Sequence, residues 1–253
     1  MRADVRHMAD GTYLVHGSDT NWVILTDGDA VTLVDTGYPR DRQLLLDSLA
    51  AVGSAPEAVA AVLVTHAHND HLGSAEYLAA RYGTPVLLHE AEVPHARGDF
   101  LHQVSVGQVL RNGRRPGVLP WAVRALRAGG TSRRPVTAPL PFPSAAPLDL
   151  PGRPVPVHTP GHTDGHCALH LPGSGVLISG DALVSAHPTS RIEGPQLLPD
   201  MFHHQRDRAA ASLGVLAALD ADLLLPGHGP ALRGPVRSAA KRARELAERL
   251  PPG

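Results

Sequence analysis

Four residues with metal-ligating side chains lie within six positions, in the segment His66-Ala67-His68-Asn69-Asp70-His71. Imidazole and carboxylate groups together suit zinc, iron, manganese or cobalt, whereas a calcium site would be built from oxygen ligands alone. A thiolate site would need several cysteines, and the chain has one, Cys167. A lone histidine is usually an ordinary surface residue. Four ligand-type side chains at this spacing predict a metal site.

The residues on either side of this segment predict how it is positioned. The apolar run at 62–64 is typical of a buried strand, and the pattern at 74–81, which follows Gly73, is typical of a helix. We therefore expect the four ligands on a loop between a strand and a helix. Loops held by rigid elements are where binding and catalytic side chains are usually found.

Length and composition limit the classes of protein to consider. A chain of 253 residues can bury the core of a single α/β domain, and its formal net charge of -1 creates no field that would attract nucleic acid or an anionic membrane. Residues 1–6 lack the apolar core of a signal peptide, and no apolar run is long enough for a membrane span. We expect a cytoplasmic protein that acts on a small molecule, without a nucleic-acid partner; the sequence makes no prediction of oligomeric state.

Short apolar runs and helical patterns alternate along both halves of the chain. In the first half we predict strands at 12–16, 22–26, 30–34 and 85–88, a turn at 27–29, and helices at 40–52 and 74–82. In the second half we predict strands at 154–158, 175–179 and 223–225, and helices at 207–219 and 235–250. His166 and His170 are interpreted as strand residues. This alternation indicates an α/β fold.

The segment from about 94 to 143 has a different composition. It is rich in proline and glycine and carries eight arginines against one acidic residue, Asp99. Residues 119–126 could form a short amphipathic helix. We expect an insertion that serves as a lid or pocket wall and whose arginines select an anionic substrate; the alternative is a solvated loop.

The string His66-Ala67-His68-Asn69-Asp70-His71 resembles the signature of the metallo-β-lactamase superfamily of metallohydrolases. Four more motifs resemble those of the family and occur in its order: Val34-Asp35-Thr36-Gly37, Thr159-Pro160-Gly161-His162, Ser179-Gly180-Asp181 and Pro226-Gly227-His228-Gly229. The resemblance implies an α/β fold of the four-layer αββα sandwich type. It would form one domain over residues 1–253, with the insertion at about 94–143.

The resemblance also implies a role for individual residues. One metal would be held by His66, His68 and His162, a second by Asp70, His71 and His228, and Asp181 would bridge both. Asp35 would hydrogen-bond to a metal-binding histidine and so orient its ring. We expect two zinc ions per chain, with iron or manganese as alternatives. Asp70 and Asp181 are the expected catalytic residues.

The reaction that the resemblance implies is hydrolysis by a hydroxide that bridges the two metal ions. Residues 159–166 are similar to the hydroxyacylglutathione hydrolase and lactonase-like branch, so we expect cleavage of a carbonyl ester-type bond in a thioester, a lactone or another small acyl substrate. Because one fold hosts many chemistries, four alternatives stay open: a β-lactam hydrolase, a phosphodiester hydrolase, a single-iron sulfur dioxygenase and a non-catalytic metal-binding regulatory protein.

The proline-rich loop at 182–201 lies between one expected ligand and a predicted helix. Such a loop is well placed to form a wall of a substrate pocket. The candidate pocket residues are His187, Arg191, His203 and His204.

Overall fold

A computed structural model describes residues 3–100, 102–132, 134–143 and 146–249. Its first sheet contains seven strands in chain order, antiparallel from β1 to β4 and parallel from β4 to β7. The strands are β1 (Asp4–Ala9), β2 (Thr12–His16), β3 (Asn21–Asp27), β4 (Ala30–Val34), β5 (Val59–Leu63), β6 (Val86–Leu88) and β7 (Leu140–Pro141).

The second sheet has five strands in the order β12-β11-β10-β9-β8, with one parallel pair, β10 and β11. Its strands are β8 (Val155–His158), β9 (Cys167–Leu171), β10 (Val176–Gly180), β11 (Leu223–Pro226) and β12 (Leu232–Arg233). The helices are α1 (Arg42–Ala51), α2 (Asn69–Leu72), α3 (Ala75–Tyr82), α4 (Val93–Ala96), α5 (Val106–Asn112), α6 (Val118–Ala128), α7 (Arg206–Ala217) and α8 (Val236–Arg249).

The two sheets pack face to face and helices cover their outer faces. Leu25 and Leu63 of the first sheet share a buried cluster with Leu169 and Ile178 of the second. On the outer side of the first sheet, α1 and α3 bury apolar residues against β3 to β6. On the outer side of the second sheet, α7 and α8 do the same against β9 to β11. This is the expected αββα sandwich, and apolar burial between its layers holds it together.

The expected ligands follow the carboxyl ends of strands. Asp35 comes directly after β4, and the segment that begins at His66 follows β5, which is parallel to β4. Asp181 and His228 follow β10 and β11, the parallel pair of the second sheet. Because parallel strands end at the same edge, each sheet delivers its functional side chains to one place.

Most of the predicted elements are present, with local differences. The helix expected at 40–52 begins as a short 3-10 turn at Pro39–Asp41 and continues as α1. Asp70 and His71 lie in the one-turn helix α2 rather than in a loop, since backbone hydrogen bonds from His71 and Leu72 to the carbonyl of His68 close that turn. His166 precedes β9 instead of lying within it.

The strands β1, β7 and β12 and the helices α4 and α5 were not predicted. In the part of the chain that the structure describes, no helix has both the length and the apolar character needed to cross a bilayer.

Gly73 offers a direct test of this packing. It ends α2, and its Cα faces the backbone of Gly37, Tyr38 and Pro39 so closely that an added Cβ would overlap with it. Gly73→Ala should lower the free energy of unfolding by about 1–3 kcal/mol because the backbone cannot move aside without strain. Gly214→Ala is the control: this exposed site in α7 has open space, so a gain of about 0.5–1 kcal/mol is expected. Equal effects in urea unfolding would contradict the assigned close packing.

Candidate metal centre

Three imidazole nitrogens converge at the first set of expected ligands. His66 Nε2 lies 3.1 Å from His68 Nδ1 and 3.1 Å from His162 Nε2, and the last two nitrogens are 3.0 Å apart. Zinc–nitrogen bonds of about 2.0–2.1 Å in tetrahedral geometry place the ligand nitrogens about 3.4 Å from one another. The three rings therefore have a spacing that suits one shared cation.

The second set lies beside the first. Asp70 Oδ2 is 3.7 Å from His71 Nε2 and 3.5 Å from His228 Nε2. Asp181 lies between the sets: its Oδ2 is 3.4 Å from His162 Nε2 and 3.3 Å from His228 Nε2, and its Oδ1 is 3.4 Å from His71 Nε2. All seven expected ligand side chains are thus brought together, in three overlapping groups that could each hold an ion.

Two of these atoms are buried without a hydrogen-bond partner among the described residues, His71 Nε2 and Asp181 Oδ1. An unpaired buried polar atom costs about 1–3 kcal/mol, so such atoms rarely occur without a reason. Both point into the space that the ligands surround. A coordinated cation would satisfy both atoms, and the donor set of imidazole and carboxylate fits zinc, iron or manganese.

Burial sets the protonation of the first ligand set. It lowers the pKa of His68 to about 4 and holds the pKa values of His66 and His162 well below their usual range. These rings are therefore neutral near pH 7, which is the form that binds a metal ion.

The pKa values of the two histidines in the second set are shifted in the opposite direction. Burial lowers the pKa values of His71 and His228, but nearby carboxylates outweigh it, so both pKa values are raised. The carboxylates are Asp181, Asp35 and Asp70 for His71, and Asp181 and Asp70 for His228. Burial raises the pKa of Asp181, yet His228, His71 and His162 together hold it well below its usual value. Protons consequently compete with a cation at His71 and His228, and metal uptake there should weaken as the pH falls.

Asp35 orients a ligand from each set. Its Oδ2 accepts a hydrogen bond from His71 Nδ1 at 2.8 Å and another from the hydroxyl of Thr65 at 2.9 Å, and its Oδ1 accepts one from the Thr65 backbone at 2.8 Å. The same hydroxyl lies 3.1 Å from His66 Nδ1 and can accept its proton. With Nδ1 engaged in this way, both rings direct Nε2 at the site as the atom available to a cation, and the contact of Asp35 with a histidine of the site is the one that the family resemblance implied.

A backbone carbonyl orients His228 in the same way. His228 Nδ1 lies 2.5 Å from the carbonyl oxygen of Asp19, which can only accept, so the ring donates through Nδ1 and leaves Nε2 free for a cation.

Glu92 supports the site and was missed by sequence reasoning. It is buried, and its two oxygens accept hydrogen bonds from the backbone of Ala67 at 2.9 Å and of Gly165 at 3.0 Å. Burial raises the pKa of Glu92, but hydrogen bonds from His95, Thr163 and Ala67 outweigh it and lower this pKa to about 2. One carboxylate thus fastens the loop of His66 and His68 to the loop of His162. A glutamate so distant in sequence from both loops carried no recognisable signal.

His166 supports the backbone of the central carboxylate. Its Nε2 accepts a hydrogen bond from the amide of Asp181 at 3.0 Å, and its Nδ1 lies 2.8 Å from the hydroxyl of Thr159. Burial lowers the pKa of His166 to about 4, which keeps the ring neutral and able to accept. The interpretation of His166 as an ordinary strand residue was therefore incomplete.

A cleft of about 260 Å³ opens above the ligands. His68, Asp70, His162, Asp181 and His228 form part of its lining. Apolar side chains make up much of its wall, among them Val104, Val109, Trp121, Ala125, Leu198 and Phe202.

The expectation that the eight arginines of the insertion face the substrate is not met by the seven that the structure describes, and Arg133 lies outside the described residues. No arginine or lysine among the described residues lines this cleft. Arg97 is exposed and pairs with Asp99, and Arg124 pairs with Asp19, which occupies these cations outside the cleft. The arginines of α6 are absent from the cleft lining because this helix is amphipathic: its apolar side lies against the cleft, and its arginines lie on another side.

The four candidate pocket residues separate in the structure. His187 lines the cleft, with its ring centroid 5.0 Å from that of His228. His203 is packed against His162 at 5.6 Å and hydrogen-bonds to the Leu198 carbonyl, so it supports the wall from behind.

The other two lie elsewhere. His204 is on the surface beside Asp164, at 3.1 Å, and is outside the cleft lining. Arg191 lines a separate groove that includes Arg115, Asp200 and Ala243, so the structure does not bring it to the metal centre. Position in a loop could not reveal which side of the loop faces the ligands.

Comparisons with known proteins give a consistent picture. Residues 17–228 match the family model described as the metallo-beta-lactamase superfamily. The protein named "Probable metallo-hydrolase YflN" of Bacillus subtilis (strain 168) is 26% identical over 228 residues, covering 86% of this chain and 81% of that protein. A hydroxyacylglutathione hydrolase of Acidiphilium cryptum (strain JF-5) is 30% identical over 209 residues, covering 82% of this chain and 63% of that protein. The crystal structure of a metallo-beta-lactamase family protein from Thermus thermophilus has a TM-score of 0.65 and 27% identity, covering 94% of this chain and 80% of that one.

Asp35→Asn tests the orienting role of Asp35. Asparagine tolerates the left-handed backbone at this position, where φ is 62°, but one amide nitrogen would replace an oxygen that now accepts. A donor would then face His71 Nδ1, and the ring would protonate on Nε2. We expect zinc affinity about 10–100-fold weaker, measured by competition with a chromophoric chelator.

Asp41→Asn is the matched control, since Asp41 is also buried and accepts hydrogen bonds from Ser18 and from the Tyr38 backbone, outside the ligand cluster. Its zinc affinity should stay at the wild-type value. An equal loss in both variants would mean that Asp35 acts through general stability alone.

Proposed function

Because the chain belongs to the metallo-beta-lactamase superfamily and is a metal-dependent hydrolase, we propose that it cleaves a carbonyl ester-type bond in a small acyl substrate, using two zinc ions held by its seven clustered ligands. The observation that carries this proposal is the position of Asp181. It is buried between the two ligand sets, within 3.3–3.4 Å of a nitrogen of each. A site for a single metal ion would not explain why the side chains of the second set are also brought together around Asp181.

The residues of the cleft support hydrolysis by water. The sole cysteine, Cys167, is buried, and burial raises its pKa to about 12, so it cannot serve as a thiolate nucleophile. Zinc ions bound at such a site lower the pKa of water from about 15.7 toward about 7 and stabilise negative charge that develops on a substrate oxygen.

The two carboxylates of the site have different surroundings and so different roles. The side chain of Asp181 is 3% exposed and enclosed by histidines, which suits a fixed negative charge between cations. The side chain of Asp70 is 18% exposed and lines the cleft, so it can reach a proton of the attacking water or of the leaving group. We assign Asp181 to charge balance and Asp70 to water orientation and proton transfer.

The acyl bond is supported by relatives that are named as hydroxyacylglutathione hydrolases. A protein named as a hydroxyacylglutathione hydrolase is 30% identical over 209 residues. Since the chain covers 63% of that protein, recognition of a glutathione portion is not part of the proposal. Thioesters and lactones share an electrophilic carbonyl carbon, which is the feature that we carry over.

The first prediction from this proposal concerns metal content. Zinc-loaded protein should contain two ions per chain, and His228→Ala should retain about one, because the second set then has two terminal ligands. His170→Ala is the control: His170 on β9 is also buried, but it donates to the carbonyl of Asp220, away from the site. Elemental analysis measures the number of metal ions per chain in the wild type and in both variants. One ion in the wild type would refute the dinuclear assignment, and iron with oxygen consumption would indicate dioxygenase chemistry.

The second prediction concerns turnover. Asp181→Ala removes the one carboxylate that contacts both ligand sets, so kcat on the best thioester or lactone should fall by about a hundredfold or more and metal content should drop. Phosphodiester and β-lactam substrates should be assayed in parallel with the wild type. Retention of both ions and of near-normal kcat in Asp181→Ala would show that the bridging assignment is wrong.

A further inference from the structure

Exposed apolar side chains are concentrated in the segment that forms part of the cleft wall. Eight large hydrophobic side chains are exposed among the described residues, and seven of them lie between 94 and 143: Phe100, Val106, Leu110, Leu119, Val123, Leu126 and Leu140. This is the segment that forms α5 and α6. Val106 and Leu126 both line the cleft and reach solvent, so an apolar path leads from the surface to the ligands.

The helix α6 presents one apolar face to this cleft. Trp121, Ala122 and Ala125 line it, while Arg124 and Arg127 are exposed. With about 3.6 residues per turn, positions 121, 122 and 125 fall on one side of the helix and positions 124 and 127 on another. Two small alanines next to a tryptophan leave room for a ligand along the helix.

The wall next to α6 is also apolar. Phe202 packs edge to face on Trp121, with 5.1 Å between the ring centroids, and Leu198 lies in the same lining. Among the described lining residues the charged groups are the ligands Asp70 and Asp181, together with any protonated histidine. A substrate that enters this cleft meets apolar walls and no arginine or lysine.

Specific contacts fix the wall to the metal centre. Asn69, which lies between two ligands, donates from Nδ2 to the Gly130 carbonyl at 2.7 Å. Arg124 donates to the carboxylate of Asp19 at 2.7 Å, and the carbonyl of that same residue accepts from His228. The pocket wall is therefore anchored in the middle of α6 and just beyond its C-terminal end, which holds it beside the ligands.

We propose that this cleft is an acyl-chain pocket, and that the substrate is an uncharged ester, thioester or lactone with a linear apolar chain. The carbonyl would lie at Asp70 and Asp181, and the chain would run along Trp121 and Ala125. The proposal rests on the proposed hydrolase function and adds the substrate class to it. Each buried methylene contributes about 0.8 kcal/mol, which corresponds to about a fourfold gain in affinity, and partial exposure reduces it.

The first test is a chain-length series with the zinc-loaded protein. On p-nitrophenyl esters from acetyl to decanoyl, kcat/KM should rise about two- to fourfold per methylene before it levels off. Ala125→Phe fills the pocket and should lower kcat/KM for the decanoyl ester at least about tenfold more than for the acetyl ester.

Val123→Phe is the matched control, because position 123 is on the same helix, exposed and outside the cleft lining. It should keep the wild-type profile. A flat profile, a profile that Ala125→Phe leaves unchanged, or a preference for the anionic hemisuccinate ester over the neutral pentanoyl ester would overturn the proposal.

A binding measurement separates this inference from the hydrolase assignment. Trp121 lines the cleft, and the other tryptophan, Trp22, is buried in the core, so Trp121 fluorescence reports on occupancy. The uncharged, non-hydrolysable ketone 2-decanone should bind at least about tenfold more tightly than 2-butanone, and Ala125→Phe should remove the difference.

If 2-decanone binds in this way but none of the esters is turned over, the ester-type hydrolase assignment fails and the apolar pocket stands. If esters are hydrolysed while both ketones bind equally, the pocket assignment fails and the hydrolase stands.

Discussion

The structure depends on keeping a buried carboxylate among four imidazoles. Asp181 lies within 3.3–3.8 Å of nitrogens of His66, His71, His162 and His228, and every one of these side chains is almost fully shielded from water. Such a group of polar atoms is costly to bury unless each atom finds a partner. Metal coordination is the arrangement that satisfies nitrogen and oxygen together. The rest of the fold serves to hold these atoms in place.

The sandwich and a few buried carboxylates together hold the ligand side chains in place. The sandwich brings strand ends of both sheets to one edge, which positions the loops that carry the ligands. Buried carboxylates then fix the details: Asp35 sets the ring orientation of His71, and Glu92 ties together two ligand loops that are far apart in sequence. The wall formed by α5 and α6 needs no such accuracy. It contributes apolar surface, which is the kind of feature that can change without disturbing the metal centre.

Sequence analysis identified residues and elements that give a local signal, and it missed roles that depend on how distant parts of the chain pack together. The strands at 12–16 and 30–34 were predicted to the residue because alternating patterns are local signals. The cluster at 66–71 was recognised from its residue types, and the full set of seven expected ligands, which the structure brings together, came from the family resemblance. Glu92 was missed, since a glutamate that hydrogen-bonds to distant backbone amides has no local pattern. The arginines of the insertion were expected to face the substrate, and those that the structure describes do not line the cleft. Composition gives the number of arginines in a segment, whereas the packing of α6 on the cleft decides which side of the helix its arginines occupy.

The measurement that tests the central claim most directly is anomalous diffraction at the zinc edge from crystals of zinc-loaded protein. We predict two anomalous peaks separated by about 3.5–4 Å, the spacing of dinuclear hydrolase sites, with Asp181 in contact with both. His66, His68 and His162 should surround one peak, and Asp70, His71 and His228 the other. A single peak at the three-histidine set, with His228 free of metal, would contradict the account.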